Sequence, residues 1–111
     1  MEFDSNKPIY IQIADSFSDR ILSGDLKAGD RILSVRELGS EIGVNPNTIM
    51  RAYEILTEQN VIFNKRGIGY FVSENASGIV LEKERRKFIE SEFPKTLKRA
   101  ELLGIDIKEL L

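Results

Sequence analysis

"SVRELGSEIGVNPNTIMRAYEIL", residues 34–56, contains two helix starts with a helix-stopping glycine, Gly43, just before the second. Ser34 and Glu37 stand at the spacing of a capping box, in which each side chain reaches the other's backbone N–H. Val35, Leu38 and Ile42 then mark a helix of about two turns, stopped by Gly43. Asn45 is placed to cap a second helix, with Pro46 at its first position and Val44 and Ile49 at the positions of a hydrophobic staple. Ile49, Ala52, Tyr53 and Leu56 fall within about 100° of arc and form its buried face. Two helices joined by so tight a turn predict a helix-turn-helix.

The start of the second helix is unusual. First turns commonly hold Asp or Glu, which offset the positive end of the helix dipole. Here Asn45, Pro46, Asn47 and Thr48 are uncharged. Asn47 and Arg51 lie on the exposed face, with Thr48 at its edge, and Glu54 and Glu58 are confined to the C-terminal half. A helix end with free N–H groups, no acid and one arginine suits an anion. Amide and guanidinium side chains also pair with base edges in the major groove. The same residues read equally as an ordinary Asn-Pro cap, with Arg51 paired to Glu54 or Glu58 on a solvated face.

Outward from this stretch the pattern continues. Upstream, Pro8 opens a helix whose buried stripe is Tyr10, Ile13, Ala14, Phe17 and Ile21, closed by Ser23-Gly24. Arg31 to Leu33 reads as a very short strand. Downstream, Val61–Asn64 and Tyr70–Ser73 are β-prone runs joined by a turn carrying Lys65, Arg66, Gly67 and Gly69: a hairpin with a basic tip. Lys65 and Arg66 in such a turn are also what solubility alone would place there. Ala76-Ser77-Gly78 reads as a hinge, Val80 to Glu92 as a helix broken by Pro94, and Lys95 to Leu103 as its resumption. Gly104 caps, and Asp106 with Glu109 opens a last turn. The expected fold is mainly α with a small β-hairpin: a winged helix-turn-helix over residues 1–75, then a helical element over residues 76–111.

Composition narrows function further. The chain has 111 residues and a net charge of −2. Residues 1–19 carry four acids and one base, residues 20–72 seven bases and six acids, and residues 73–111 eight of each. Cysteine and histidine are both absent. That removes disulfides, thiolate metal sites and the commonest general base and metal ligand. No metal, cofactor or catalytic residues are expected, and an enzyme is disfavoured. The acidic N-terminus lacks the pattern of a secretory signal, and no apolar run approaches about 18 residues, so a cytoplasmic chain with no membrane contact is expected.

"LKAGDRILSVRELGSEIGVNPNTIMRAYEILTEQNVIFNKRGIGYFV", extended back to "KPIYIQIADSFSDRILSG", resembles the DNA-binding domain of GntR-family bacterial transcription regulators. "PIYIQI", "VNPNTIMRAYEIL" and the short tail are most similar to the YtrA subfamily, small regulators whose tail is a helical dimerisation element. The resemblance implies a homodimeric repressor bound to an inverted-repeat operator in double-stranded DNA. It implies DNA contacts from Ser34 and Arg36, then Asn45, Asn47, Thr48 and Arg51, then Arg66 and Gly67, with Lys65 beside them in the wing. Leu33 stands where the family usually has Pro, and Pro46 and Met50 stand where many relatives outside the subfamily carry Arg contacts. Asn60 replaces a common Gly and can still take a left-handed cap. Leu81, Phe88, Ile89, Phe93, Leu97 and Leu103 are the expected dimerisation surface. A protein-interaction module is the competing reading, which the acidic balance allows. A small-molecule effector is compatible with the family; about 36 tail residues leave its site only at the dimer interface.

Overall fold

The computed structural model describes residues 3–111. Helix α1 spans Ile9–Leu22, strand β1 Arg31–Ile32, α2 Val35–Ile42 and α3 Pro46–Glu58. Strands β2 (Ile62–Lys65) and β3 (Gly69–Val72) follow, then α4 (Ala76–Lys87), a π-helical turn (Phe88–Glu92), α5 (Phe93–Leu102) and α6 (Ile107–Leu110). The chain divides into two compact units, one running to Val80 and the other from Leu81 to Leu111.

The first unit is the winged helix. Its hairpin gains a third strand, because β1 pairs antiparallel with β3, giving the order β1-β3-β2. Arg31 pairs with Phe71, and Phe71 in turn pairs with Phe63. Residues opposite one another share a face of a sheet and alternate along each strand. Ile32, Ile62, Tyr70 and Val72 therefore face the helices, and Arg31, Phe63, Lys65 and Phe71 face outward. The core joins Ile13, Phe17 and Ile21 of α1, Leu38 of α2, and Ile49, Ala52, Tyr53 and Leu56 of α3 to the inner face of the sheet. Tyr53 is fully buried, with edge-on contacts to Phe17 at 5.6 Å and Tyr70 at 4.9 Å between ring centroids. Its hydroxyl donates to the Leu33 carbonyl, and burial pushes its phenol up from the ordinary value. Leu33 precedes the cap of α2, so this one bond ties α3 to the entry of α2.

Gly39 lets α2 and the turn after it approach closely. A Cβ there would meet the Val44 carbonyl at 2.7 Å. The Gly39 carbonyl accepts the amide N–H of both Gly43 and Val44, and Gly43 is left-handed at φ 69°. This left-handed closure turns the chain into α3 within three residues.

Two expectations in the tail need correction. Ala76-Ser77-Gly78 is not a hinge but the first turn of α4, anchored because Ala76 and Val80 sit in the core of the first unit. Pro94 does not break the helix either. It stands at the start of α5, immediately after the π-helical turn, where the Phe93 N–H reaches back to the Phe88 carbonyl. Proline in a regular helix loses one bond and collides with the carbonyl four residues earlier; a widened turn relieves that collision. The two β runs are each displaced by one residue from the expected bounds, ending at Lys65 and starting at Gly69.

Candidate nucleic-acid interface

Three segments of the first unit carry the candidate residues: the starts of α2 and α3, and the β2–β3 turn. The capping box at α2 is formed. The Glu37 amide donates to Ser34 Oγ and the Ser34 amide to Glu37 Oε1, both at 3.1 Å. The Ser34 backbone N–H first, and its side chain second, hold the Glu37 carboxyl below its ordinary range. The start of α2 thus already has its own carboxylate. Ser34 is half-buried and its oxygen is used in the cap; Arg36 is exposed.

The start of α3 differs. Its first turn contains no acid. Asn45 Oδ1 accepts the Asn47 N–H at 2.8 Å, and the Thr48 N–H turns back to the Asn45 carbonyl at 2.9 Å. Pro46 has no N–H. The expectation of free N–H groups is therefore wrong: a local cap consumes them. An approaching anion or base edge meets side chains and an unneutralised helix dipole, not a row of open donors.

Those side chains lie across the exposed face in a definite order. Asn47 is exposed near its middle and Thr48 is half-buried at its edge. On one flank Arg51 lies with its guanidinium carbon 4.2 Å from the centroid of the Tyr10 ring, which belongs to α1. It makes no ion pair with Glu54 or Glu58. On the other flank is Met50, 39% exposed, whose sulfur is 4.0 Å from the Tyr70 hydroxyl of β3. Neither tyrosine was expected to touch the reading face. The spacing in α1 places Tyr10 only on that helix's buried stripe, and side-chain spacing within one helix cannot show what another helix lays against it.

In the wing, the Ile68 amide closes the turn onto the Lys65 carbonyl at 2.8 Å, and Gly67 is left-handed at φ 79°. Arg66 and Gly67 are exposed at the tip. Lys65 lies over the outward ring of Phe71 at 5.3 Å. The ion pairs among the described residues are Lys7–Asp15, Arg20–Asp25 and Arg86–Glu82. Arg36, Arg51, Lys65 and Arg66 take part in none of them, although the chain as a whole carries more acids than bases. No group of His, Cys, Asp or Glu among the described residues could hold a metal ion, and no helix there is long and apolar enough to cross a membrane.

The six tail residues are exposed, from Leu97 at 36% to Ile89 at 60%. No residue of the π turn, α5 or α6 is buried. Phe88 and Phe93 stack at 5.7 Å across the π turn, and the exposed apolar set extends beyond expectation to Leu102, Ile105, Leu110 and Leu111.

Residues 9–72 match the family described as bacterial regulatory proteins, gntR family. The chain is 35% identical over 106 residues to the HTH-type transcriptional repressor YtrA of Bacillus subtilis (strain 168), covering 96% of this chain and 81% of that protein. Its fold superposes on a GntR family transcriptional regulator from Listeria monocytogenes with a TM-score of 0.79 at 35% identity, over 97% of this chain and 93% of that one. It also superposes on AraR(DBD) in complex with operator ORR3, with a TM-score of 0.58 at 30% identity, over 66% and 86% of the two chains. A winged helix-turn-helix with an acid-free recognition-helix start and unpaired cations, matched along its length to such proteins, belongs to the gntR family of bacterial regulatory proteins: it is a DNA-binding transcription regulator.

Proposed function

We propose that the chain is a homodimeric repressor that reads an inverted-repeat operator, with the first unit binding DNA and the second holding two copies together. The observation that carries the reading is the charge arrangement: Arg36, Arg51, Lys65 and Arg66 have no acid partner among the described residues, and the start of α3 has no acid of its own. Charges left unpaired beside an unneutralised helix end favour a polyanion. Asn47 and Arg51 are the base readers. Ser34, Arg36, Thr48, Lys65, Arg66 and the close-approaching Gly67 position the backbone, and Asn45 shapes the helix start. Similarity in sequence to a protein named as a repressor and a superposition on an operator-bound domain support the same reading.

The tail supports dimerisation. A helix with no buried residue and a run of exposed leucine and phenylalanine leaves its apolar surface in water unless a partner covers it. A two-fold pair of reading heads meets a two-fold DNA site, hence the inverted repeat.

The test combines a thermal melt with binding titrations for Asn45→Asp, Asn47→Ala and Arg51→Ala, on duplex recovered by selection from random sequence. Asp caps as well as Asn, so Asn45→Asp should keep stability while its carboxylate repels DNA. Asn47→Ala and Arg51→Ala should each cost roughly 1–3 kcal/mol at one base position. Affinity should fall steeply with salt, and Arg66→Ala should lower that slope by about one. Wild-type affinity and base preference in all three variants would refute the reading.

A further inference from the structure

Met50 occupies a place on the reading face that hydrogen bonding does not explain. It stands three residues after Asn47 and four after Pro46, so the three side chains are neighbours on the helix surface. It is 39% exposed and does not belong to the core cluster, so packing inside the domain does not account for it. Its flexible thioether is held toward the sheet by the Tyr70 hydroxyl at 4.0 Å. With Pro46 it forms an apolar strip beside the amide of Asn47, on the opposite flank from the Arg51–Tyr10 stack.

In the major groove, guanine offers acceptors, cytosine an amino donor, and adenine one of each; the thymine C5-methyl is the apolar handle. A strip with no strong donor or acceptor gains nothing from a guanine or cytosine edge and buries that methyl well. Asn47 beside it matches adenine in two directions at once. We infer that Met50 is a specificity-determining residue that reads a thymine methyl, so that Asn47 and Met50 together select neighbouring A·T pairs in each half-site. This rests on the DNA-binding reading above and adds the chemistry that one flank of α3 recognises.

Uracil tests it, because deoxyuridine keeps every hydrogen bond of thymidine and lacks only the methyl. Each thymine of the selected duplex is replaced in turn by deoxyuridine and the affinity measured by titration. At one position per half-site the wild type should lose roughly four-fold, the worth of one methyl group removed from water. Met50→Ala should bind the thymine and uracil duplexes equally, and Met50→Leu, which keeps an apolar side chain, should still discriminate. The circular dichroism spectrum of each variant shows that it is folded. Duplex binding with no uracil-sensitive position overturns the inference and leaves the DNA-binding reading standing. Sensitivity that survives in Met50→Ala assigns the methyl to another residue and also overturns it. A wild type that binds no duplex overturns both.

Discussion

Gly39→Ala sets two opposing effects against each other, and the geometry decides the sign. Alanine is favoured over glycine by about 1 kcal/mol in a helix interior, so propensity alone predicts a more stable protein. The new Cβ, however, would lie 2.7 Å from the Val44 carbonyl, a backbone atom that no rotamer change can move. That carbonyl follows directly on the amide bonded to Gly39 itself, so relief requires opening the α2–α3 turn. Overpacking of this kind costs about 1–3 kcal/mol, which outweighs the propensity gain. The expected net effect is a loss of about 1 kcal/mol, or roughly 4–8 °C in melting temperature for a domain of this size. Gly78→Ala provides the control. Gly78 lies in α4 with nothing within 4 Å of the added atom, so that variant should gain about 0.5–1 kcal/mol. Urea and thermal unfolding of both variants at one protein concentration makes the comparison. Should Gly39→Ala be stabilised as much as Gly78→Ala, the tight α2–α3 approach is not what that glycine serves.

Three further outcomes follow from the same geometry. Tyr10→Leu should keep the fold but release Arg51 from its ring, lowering DNA affinity by about 0.5–1 kcal/mol without changing the preferred sequence, as read by titration against the selected duplex and its single-base variants. The Glu37 carboxyl is held below its ordinary value of 4.5, so its stabilisation is complete above that pH and is lost as the pH falls through the lowered value. Glu37→Gln keeps an acceptor for the Ser34 amide without the titration, and melts from pH 3 to 7 should show a shallower acid limb for it. Truncation after Val80, which spares the core residues Ala76 and Val80, should leave a folded monomer by light scattering with weakened operator binding; a truncated chain that stays dimeric refutes the tail interface.

Much of the winged helix was legible because its signals are local. Ser34 and Glu37 three residues apart, Asn45 before Pro46, and Gly43 and Asn60 at helix ends are chemical statements about a few backbone groups. The structure shows the capping box, the Asn45 cap and both left-handed residues. What was illegible depends on partners distant in sequence. The sequence marks β1 as a short strand but does not show that it pairs with Phe71 and Tyr70 and so widens the hairpin to three strands. Gly78 signals flexibility in isolation, but the burial of Ala76 and Val80 on either side of it commits the segment to helix. Pro94 reads as a break unless a π turn precedes it, and no spacing rule announces one. At the candidate site, the helical wheel identified Asn47 and Arg51, while Tyr10 and Tyr70 arrive from other elements. Met50 had a usable sequence signal, only about 60° around the wheel from Asn47 at about 100° per residue, but its apolar side chain makes none of the hydrogen bonds by which base readers are recognised.

The division of α3 into two faces has an evolutionary consequence. Ile49, Ala52, Tyr53 and Leu56 are 0% exposed, and any change there disturbs the core. Asn47, Met50 and Arg51 are exposed, and substitutions at such positions usually change stability by no more than about 0.5 kcal/mol. On the proposed reading of these side chains, mutation can rewrite which sequence is read without unfolding the reader. Duplicated copies of such a chain can drift to new operators one side chain at a time, each intermediate remaining a stable protein, while Gly39 and Tyr53 stay fixed beneath them.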